Sequence, residues 1–256
     1  AVRLCRILSN GYALKDFGGA TDVPLQQNYL IVSDINRFVF ALGCTEFGSA
    51  TFDPMTIRWS DQEDPFNWTP EATNQAGFLR LSRGSKIITG LQSRQEILVW
   101  TDAAVYSLQY VGAPIVWSAQ LVGDNISIVG QNAVAFANGV SYWMGKDKFY
   151  IYNGNVATLN CDLRQYVFSD INTAQYAQVF AGTNEGFNEI WWFYCSANST
   201  VVDKYVVYNY AEDLWHYGNM GRTAWLDATM VRFPLAATYD NTIVQHEYGL
   251  NDNTTG

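Results

Sequence analysis

Two histidines, four cysteines and one tight group of carboxylates are what this chain of 256 residues offers for chemistry. A nucleophile needs a base within hydrogen-bond reach. Neither His216 nor His246 sits in a His-Glu-x-x-His pattern, and no Gly-x-Ser-x-Gly elbow occurs. His216 follows Trp215 in a strand-like run and reads as a packed or surface-facing ring. Cys5, Cys44, Cys161 and Cys195 are too widely spaced for a Cys-x-x-Cys metal or redox motif, and they read as buried free thiols. No Gly-rich phosphate loop opens a helix.

The carboxylates Asp61, Glu63 and Asp64 form the densest group. Paired carboxylates can run glycoside hydrolysis. Propeller sialidases carry a Ser-x-Asp-x-Gly-x-x-Trp turn, but here Ser60-Asp61 puts the acid one place early and the Gly is missing. A calcium loop wants several oxygen ligands on one flexible turn, and Pro65 with no Gly weighs against it. We therefore expect no catalytic, cofactor or metal residues and no enzymatic activity. Asp61, Glu63, Asp64 and Pro65 are expected on an exposed loop, Ser60–Thr69, that touches a neighbouring chain. Trp59 and Trp68 are expected to anchor its ends, because each ring can bury a large apolar area. Trp191-Trp192 is the best candidate for a sugar platform. Adjacent strand residues face opposite ways, so one ring is expected in the core and the other exposed or at an interface.

These residues need elements to hold them, and the texture of the chain is that of short strands. Aromatics make up 15% of residues and charged groups 15%, a profile that suits pleated, half-buried surfaces. From Tyr29 onward, short apolar runs alternate with turns. The units run from Tyr29 to Trp68, Gly77 to Gly112, Ile126 to Leu159, Gln178 to Gly218 and, more weakly, Thr223 to Tyr248. Asn138-Gly139 and Asn153-Gly154 are strong hairpin signals, since a type I′ turn requires φ > 0 at its central positions. Successive units start about 45 to 52 residues apart, close to the roughly 40–50-residue period of propeller blades. Trp59, Tyr106, Tyr150 and Trp215 recur late in their units, with Trp215 as a further structural anchor. An all-β sandwich shares the turn spacing, but the period favours a β-propeller-like array of about five antiparallel blades. The segment from Asp162 to Ile171 breaks the pattern with helical spacing and is expected to form the one short helix. Residues 1–28 read as a connector with a strand at Arg3–Leu8, residues 29–248 as the propeller-like domain and residues 249–256 as a tail.

Charge and hydropathy bound the partners. The net charge of −9 argues against gripping nucleic acid by neutralising phosphates. No apolar run approaches a membrane span. The first residues do not read as a signal peptide, and a chain without an initial Met is expected to be part of a longer polypeptide.

The stretch RFVFALG…DPMTIRWSDQEDPFNWTP, from Arg37 to Pro70, resembles a recurring segment of bacteriophage tail proteins. These are the tail-tube or nozzle proteins of short-tailed phages, of the tail tubular protein B and packaged-DNA stabilisation type. The stretch NEIWWFYCSANSTVVDKYVVYNYAEDLWHYG, from Asn188 to Gly218, is similar to phage tail propellers and to Kelch-like blades. The resemblance spans Arg37 to Gly218. It implies a structural virion protein in a homo-oligomeric ring, a hexamer, that forms part of the DNA ejection channel. The implied neighbours are an adaptor above and fibres or a needle at the side or tip, with genomic DNA passing through unbound. A carbohydrate-binding or glycan-processing propeller is the alternative.

Overall fold

A computed structural model describes residues 19–228 and 232–249, together with the backbone of two N-terminal strands. Those strands, β1 (Cys5–Leu8) and β2 (Gly11–Asp16), pair only with each other. β1 overlaps the strand expected at Arg3–Leu8, and the expected tail lies, apart from Gly249, outside the described residues.

The chain forms two compact units, Ala1–Ser127 and Ile128–Gly256. The first unit carries two four-stranded antiparallel sheets in chain order. One comprises β3 (Gln27–Ser33), β4 (Phe38–Thr45), β5 (Phe52–Trp59) and β6 (Gly77–Arg80). The other comprises β7 (Ile87–Gln92), β8 (Glu96–Thr101), β9 (Ala104–Gly112) and β10 (Val116–Asp124). Gly77 was expected to open the second repeat. Instead Gly77–Arg80 pairs with β5 and closes the first sheet.

The second unit carries three sheets. β11 (Val134–Ala137), β12 (Val140–Met144), β13 (Phe149–Tyr152) and β14 (Val156–Leu159) form one. β15 (Phe180–Asn184), β16 (Glu189–Tyr194), β17 (Lys204–Asn209) and β18 (Leu214–Asn219) form the next. β19 (Ala224–Leu226), β20 (Leu235–Ala237) and β21 (Ile243–Gln245) form a three-stranded sheet. Asn138 and Gly139 turn β11 into β12 with φ of 49° and 80°, the geometry their identities anticipate.

Burial explains why these runs form blades. In β8, Ile97 to Trp100 are fully buried without alternation, and in β16, Ile190 to Tyr194 are all buried. A strand that is apolar on both sides needs cover on both faces. Within each unit the first strands of successive sheets lie side by side, β3 beside β7, β11 beside β15 and β15 beside β19. Last strands such as β18 are largely exposed. Meandering sheets packed face to face, with neighbouring first strands and exposed last ones, are propeller blades. The fold is thus all-β and propeller-like, with five blade-like sheets.

The expected helix is present as α1 (Arg164–Asp170), shorter than its sequence pattern. Leu163 at its start offers no side-chain cap, so helical geometry begins only at Arg164. Val167 and Ile171 bury the apolar stripe. Among the described residues no helix is long and apolar enough to cross a membrane.

Candidate functional site: a latched acidic loop

The Arg58–Pro70 segment leaves the end of β5 and turns back along Thr21 and Asp22 before β6 begins. Trp59 and Trp68 are both buried. Trp59 packs against Phe40 and donates its indole N–H to the Gln75 carbonyl at 2.8 Å. Trp68 donates to the Pro65 carbonyl at 2.9 Å, so the second anchor also closes its own turn.

The residue that ties the loop down is Arg58, for which the sequence reading had no role. It is 3% exposed yet reaches no carboxylate among the hydrogen bonds it makes. Its Nη2 donates to the Asp22 carbonyl at 2.5 Å and the Trp68 carbonyl at 3.2 Å, and Nη1 reaches the Thr45 carbonyl at 3.5 Å. The guanidinium carbon lies 5.4 Å from the Phe47 ring centroid. One side chain thus pins three separate segments. A backbone bridge between Thr21 and Asn67 and a 2.6 Å hydrogen bond from Thr69 to the Asp22 carboxylate add to the same seam.

Each carboxylate of the loop has a partner within the chain. Asp61 Oδ1 accepts from the backbone N–H groups of Gln62 and Gln75, both at 2.8 Å. Asp64 accepts from the Phe66 N–H at 2.9 Å. Glu63 forms an exposed ion pair with Arg37. Ser60 is buried, Asp61 and Pro65 are half-buried, and only Glu63 and Asp64 of the four singled out are exposed. The loop expected to be exposed throughout is therefore folded onto its own blade, because backbone donors on both flanks satisfy Asp61. The carboxylates of the loop are held by backbone donors and an ion pair, and the arrangement provides hydrogen-bonded rigidity.

The other candidates are placed as follows. Trp215 is half-buried, with rings of Phe149 at 4.8 Å and Tyr208 at 4.8 Å, and its indole donates to the Asn160 carbonyl. It joins the β15–β18 blade to the β11–β14 blade, an anchor between blades. Trp191 and Trp192 are both buried, a correction to the expected division between core and surface. Alternation does put them on opposite faces, but a neighbouring blade covers each face. Trp191 stacks on Trp225 of β19 at 5.3 Å, and Trp192 packs on Phe149 of β13 at 4.9 Å.

Cys44, Cys161 and Cys195 are free thiols, and burial pushes Cys44 and Cys161 up to about 12, which keeps them protonated. His216 is exposed in β18. His246 is lowered to about 4, first by burial and then by the Arg222 charge. Its Nε2 accepts from Arg222 Nε at 3.0 Å while the ring packs on Trp225 at 4.6 Å. No group of three or more His, Cys, Asp or Glu gathers among the described residues as a metal ion would require.

No protein-family profile matches the chain, and no curated protein does. Several solved structures are similar in fold. The extracellular domain of BT4673 from B. thetaiotaomicron aligns with TM-score 0.50 and 11% identity over 88% of this chain and 26% of that one. Kluyveromyces lactis Hsv2 aligns with TM-score 0.48 and 12% identity over 94% of this chain and 65% of that one. Apo AztD from Citrobacter koseri aligns with TM-score 0.46 and 10% identity, covering 84% and 69%. The chain thus spans about a quarter of BT4673's extracellular domain and less than two thirds of Hsv2. At these identities the likeness is one of fold alone.

Proposed function

We propose that this chain is a non-catalytic structural component of a short-tailed phage tail, a subunit of a nozzle or tail-tube ring. The observation that carries the reading is the Arg58–Pro70 segment. The residues through which it resembles tail proteins are those that build the latched loop: Arg58, Trp59 and Trp68 are all buried and hydrogen-bonded. A rigid loop of this kind loses little entropy on docking and suits repeated contacts between subunits. The resemblance extends the proposal to a hexameric ring whose neighbours are an adaptor and a fibre or needle. A net charge of −9 suits a channel through which DNA slides without adhering. Sedimentation velocity of the purified chain tests the reading. A discrete oligomer that weakens when Asp61, Glu63 and Asp64 are replaced together is expected, and a monomer at all concentrations opposes it.

A second reading, a carbohydrate-binding propeller, has its own observation. Tyr166 of α1 and Tyr217 of β18 are exposed with ring centroids 4.5 Å apart. Beside them Lys204 pairs with Asp170 at 2.8 Å and lies 5.2 Å from the Tyr166 ring. Exposed rings next to charged hydrogen-bonding groups suit the mixed faces of a sugar. Binding on a glycan array that is lost in Tyr217→Ala supports it, and an array without signal removes it.

A further inference from the structure

An open cleft of about 350 Å³ lies beside the latched loop, between the β3–β4 turn and Pro65. Its walls include Val32, Val39 and Pro65, and Val32 is 60% exposed. The floor holds two serine hydroxyls, and both are already engaged. Ser33 Oγ accepts from the Asn36 N–H at 3.4 Å. Ser60 Oγ accepts from the Val39 N–H at 3.1 Å and donates to the Asp61 carbonyl at 2.9 Å. Ser60 thus has both its acceptor and its donor engaged and Ser33 accepts one bond, and beside the Val32, Val39 and Pro65 walls the interior favours an apolar side chain.

The rim is charged and held in place. Arg37 and Glu63 both adopt positive φ, 59° and 62°. Such conformations cost non-Gly residues roughly 1–2 kcal/mol each and persist only where the surroundings fix them. Here the two turns clasp each other. The Glu63 N–H donates to the Arg37 carbonyl at 2.8 Å, Gln62 Nε2 donates to the Asn36 carbonyl at 3.2 Å, and the two side chains form the ion pair. With Arg37 and Glu63 cancelling, the exposed carboxylates of Asp34, on the cleft lining, and Asp64, in the adjoining turn, leave this edge net negative.

We propose that this cleft receives a segment of a neighbouring protein chain that carries a branched apolar side chain flanked by Lys or Arg. The apolar group fills the space against Val32, Val39 and Pro65, and the cation meets Asp34. Charge complementarity selects the occupant, since an acidic segment would be repelled by this edge and by the chain's net charge of −9. The pre-formed rim lowers the ordering cost of docking. This inference rests on the reading of the chain as a part of an assembly and names the chemistry of its partner.

Fluorescence anisotropy with two labelled probe peptides, Gly-Lys-Ile-Lys-Gly and Gly-Glu-Ile-Glu-Gly, tests it. The basic peptide is expected to bind saturably below about 1 mM, the weak end of specific recognition, and the acidic one not to bind. Val32→Asp should abolish binding. Asp34→Lys, at an exposed position that leaves the fold intact by circular dichroism, should weaken the basic peptide at least about tenfold. Absence of saturable binding, equal binding of both peptides, or indifference to Asp34→Lys would overturn the proposal. Self-association lost in Val32→Asp without peptide binding would overturn it too, by assigning the cleft to a second copy. Assembly without peptide binding refutes the docking inference alone, and peptide binding by a chain that never assembles refutes the ring reading alone.

Discussion

Replacing Arg58 by Met removes the latch while nearly keeping its volume. The loss falls on the carbonyls of Asp22 and Trp68, which Nη2 meets at 2.5 and 3.2 Å. The Thr45 contact, at 3.5 Å, is at the limit of a hydrogen bond and adds little. Left unmet, the carbonyl of buried Trp68 costs about 1–3 kcal/mol, while Asp22 is exposed and losing its hydrogen bond costs about 0.5–1.5, together roughly 1.5–4.5. Against this stands relief, because a buried guanidinium without a carboxylate partner is itself costly by several kcal/mol. Part of that cost is already met by the three carbonyls and the Phe47 ring, and Met refills the space with little strain. The carbonyls should win, leaving a net loss of about 1–3 kcal/mol. Because the pinned segments are the loop and its seam, the effect should appear there first. Hydrogen exchange read by mass spectrometry should show the amides of Ser60–Thr69 exchanging about 5- to 150-fold faster, which is that energy in local opening. A variant equal in stability to the parent, with unchanged exchange in the loop, would refute the latch.

Trp59→Ala should destabilise by about 3–5 kcal/mol in urea unfolding, the range for a buried aromatic. Gly182 faces Trp225, and an added Cβ would lie 2.4 Å from the indole Cδ1. Gly182→Val should therefore cost about 1–3 kcal/mol and alter the near-ultraviolet dichroism of the packed rings. His246 is lowered to about 4 from an unfolded value near 6.5, so in that window the unfolded chain binds a proton that the folded chain refuses. Stability should fall as pH drops from about 6.5 to 4, and His246→Gln should flatten that slope in thermal melts. The carboxylates of Asp53 and Asp102 are lowered despite their burial, by hydrogen bonds from Met55, Arg80 and Thr56 in one case and from Ser85 and Lys86 in the other. Their contribution is lost only at still lower pH, which keeps the histidine window separate.

Much of the blade pattern could be read from local signals. The Asn138-Gly139 turn, the apolar runs of β4, β8 and β16, and the spacing of the units rest on short-range chemistry. The less legible strands are those with weak local signals. β6, β10 and β15 mix polar and apolar residues and acquire their state from pairing with a partner strand. Trp191 and Trp192 were misread because pleat alternation says which face a ring takes and not what covers that face. Arg58 was invisible for a related reason. Its three acceptors lie 36, 13 and 10 positions away and are carbonyls, which carry no side-chain signature. Asp61 was expected on an exposed loop facing a neighbouring chain because its two donors within the chain are backbone amides, which carry no side-chain signature either.

Negative-stain imaging of the purified chain addresses the central claim most directly, since a nozzle or tail-tube subunit must be able to close into a ring. Rings of uniform size with a central opening, sixfold in class averages, are the expected result. Isolated particles of monomer size under all conditions, with glycan binding that depends on Tyr217, would contradict the structural reading and favour the carbohydrate-binding one.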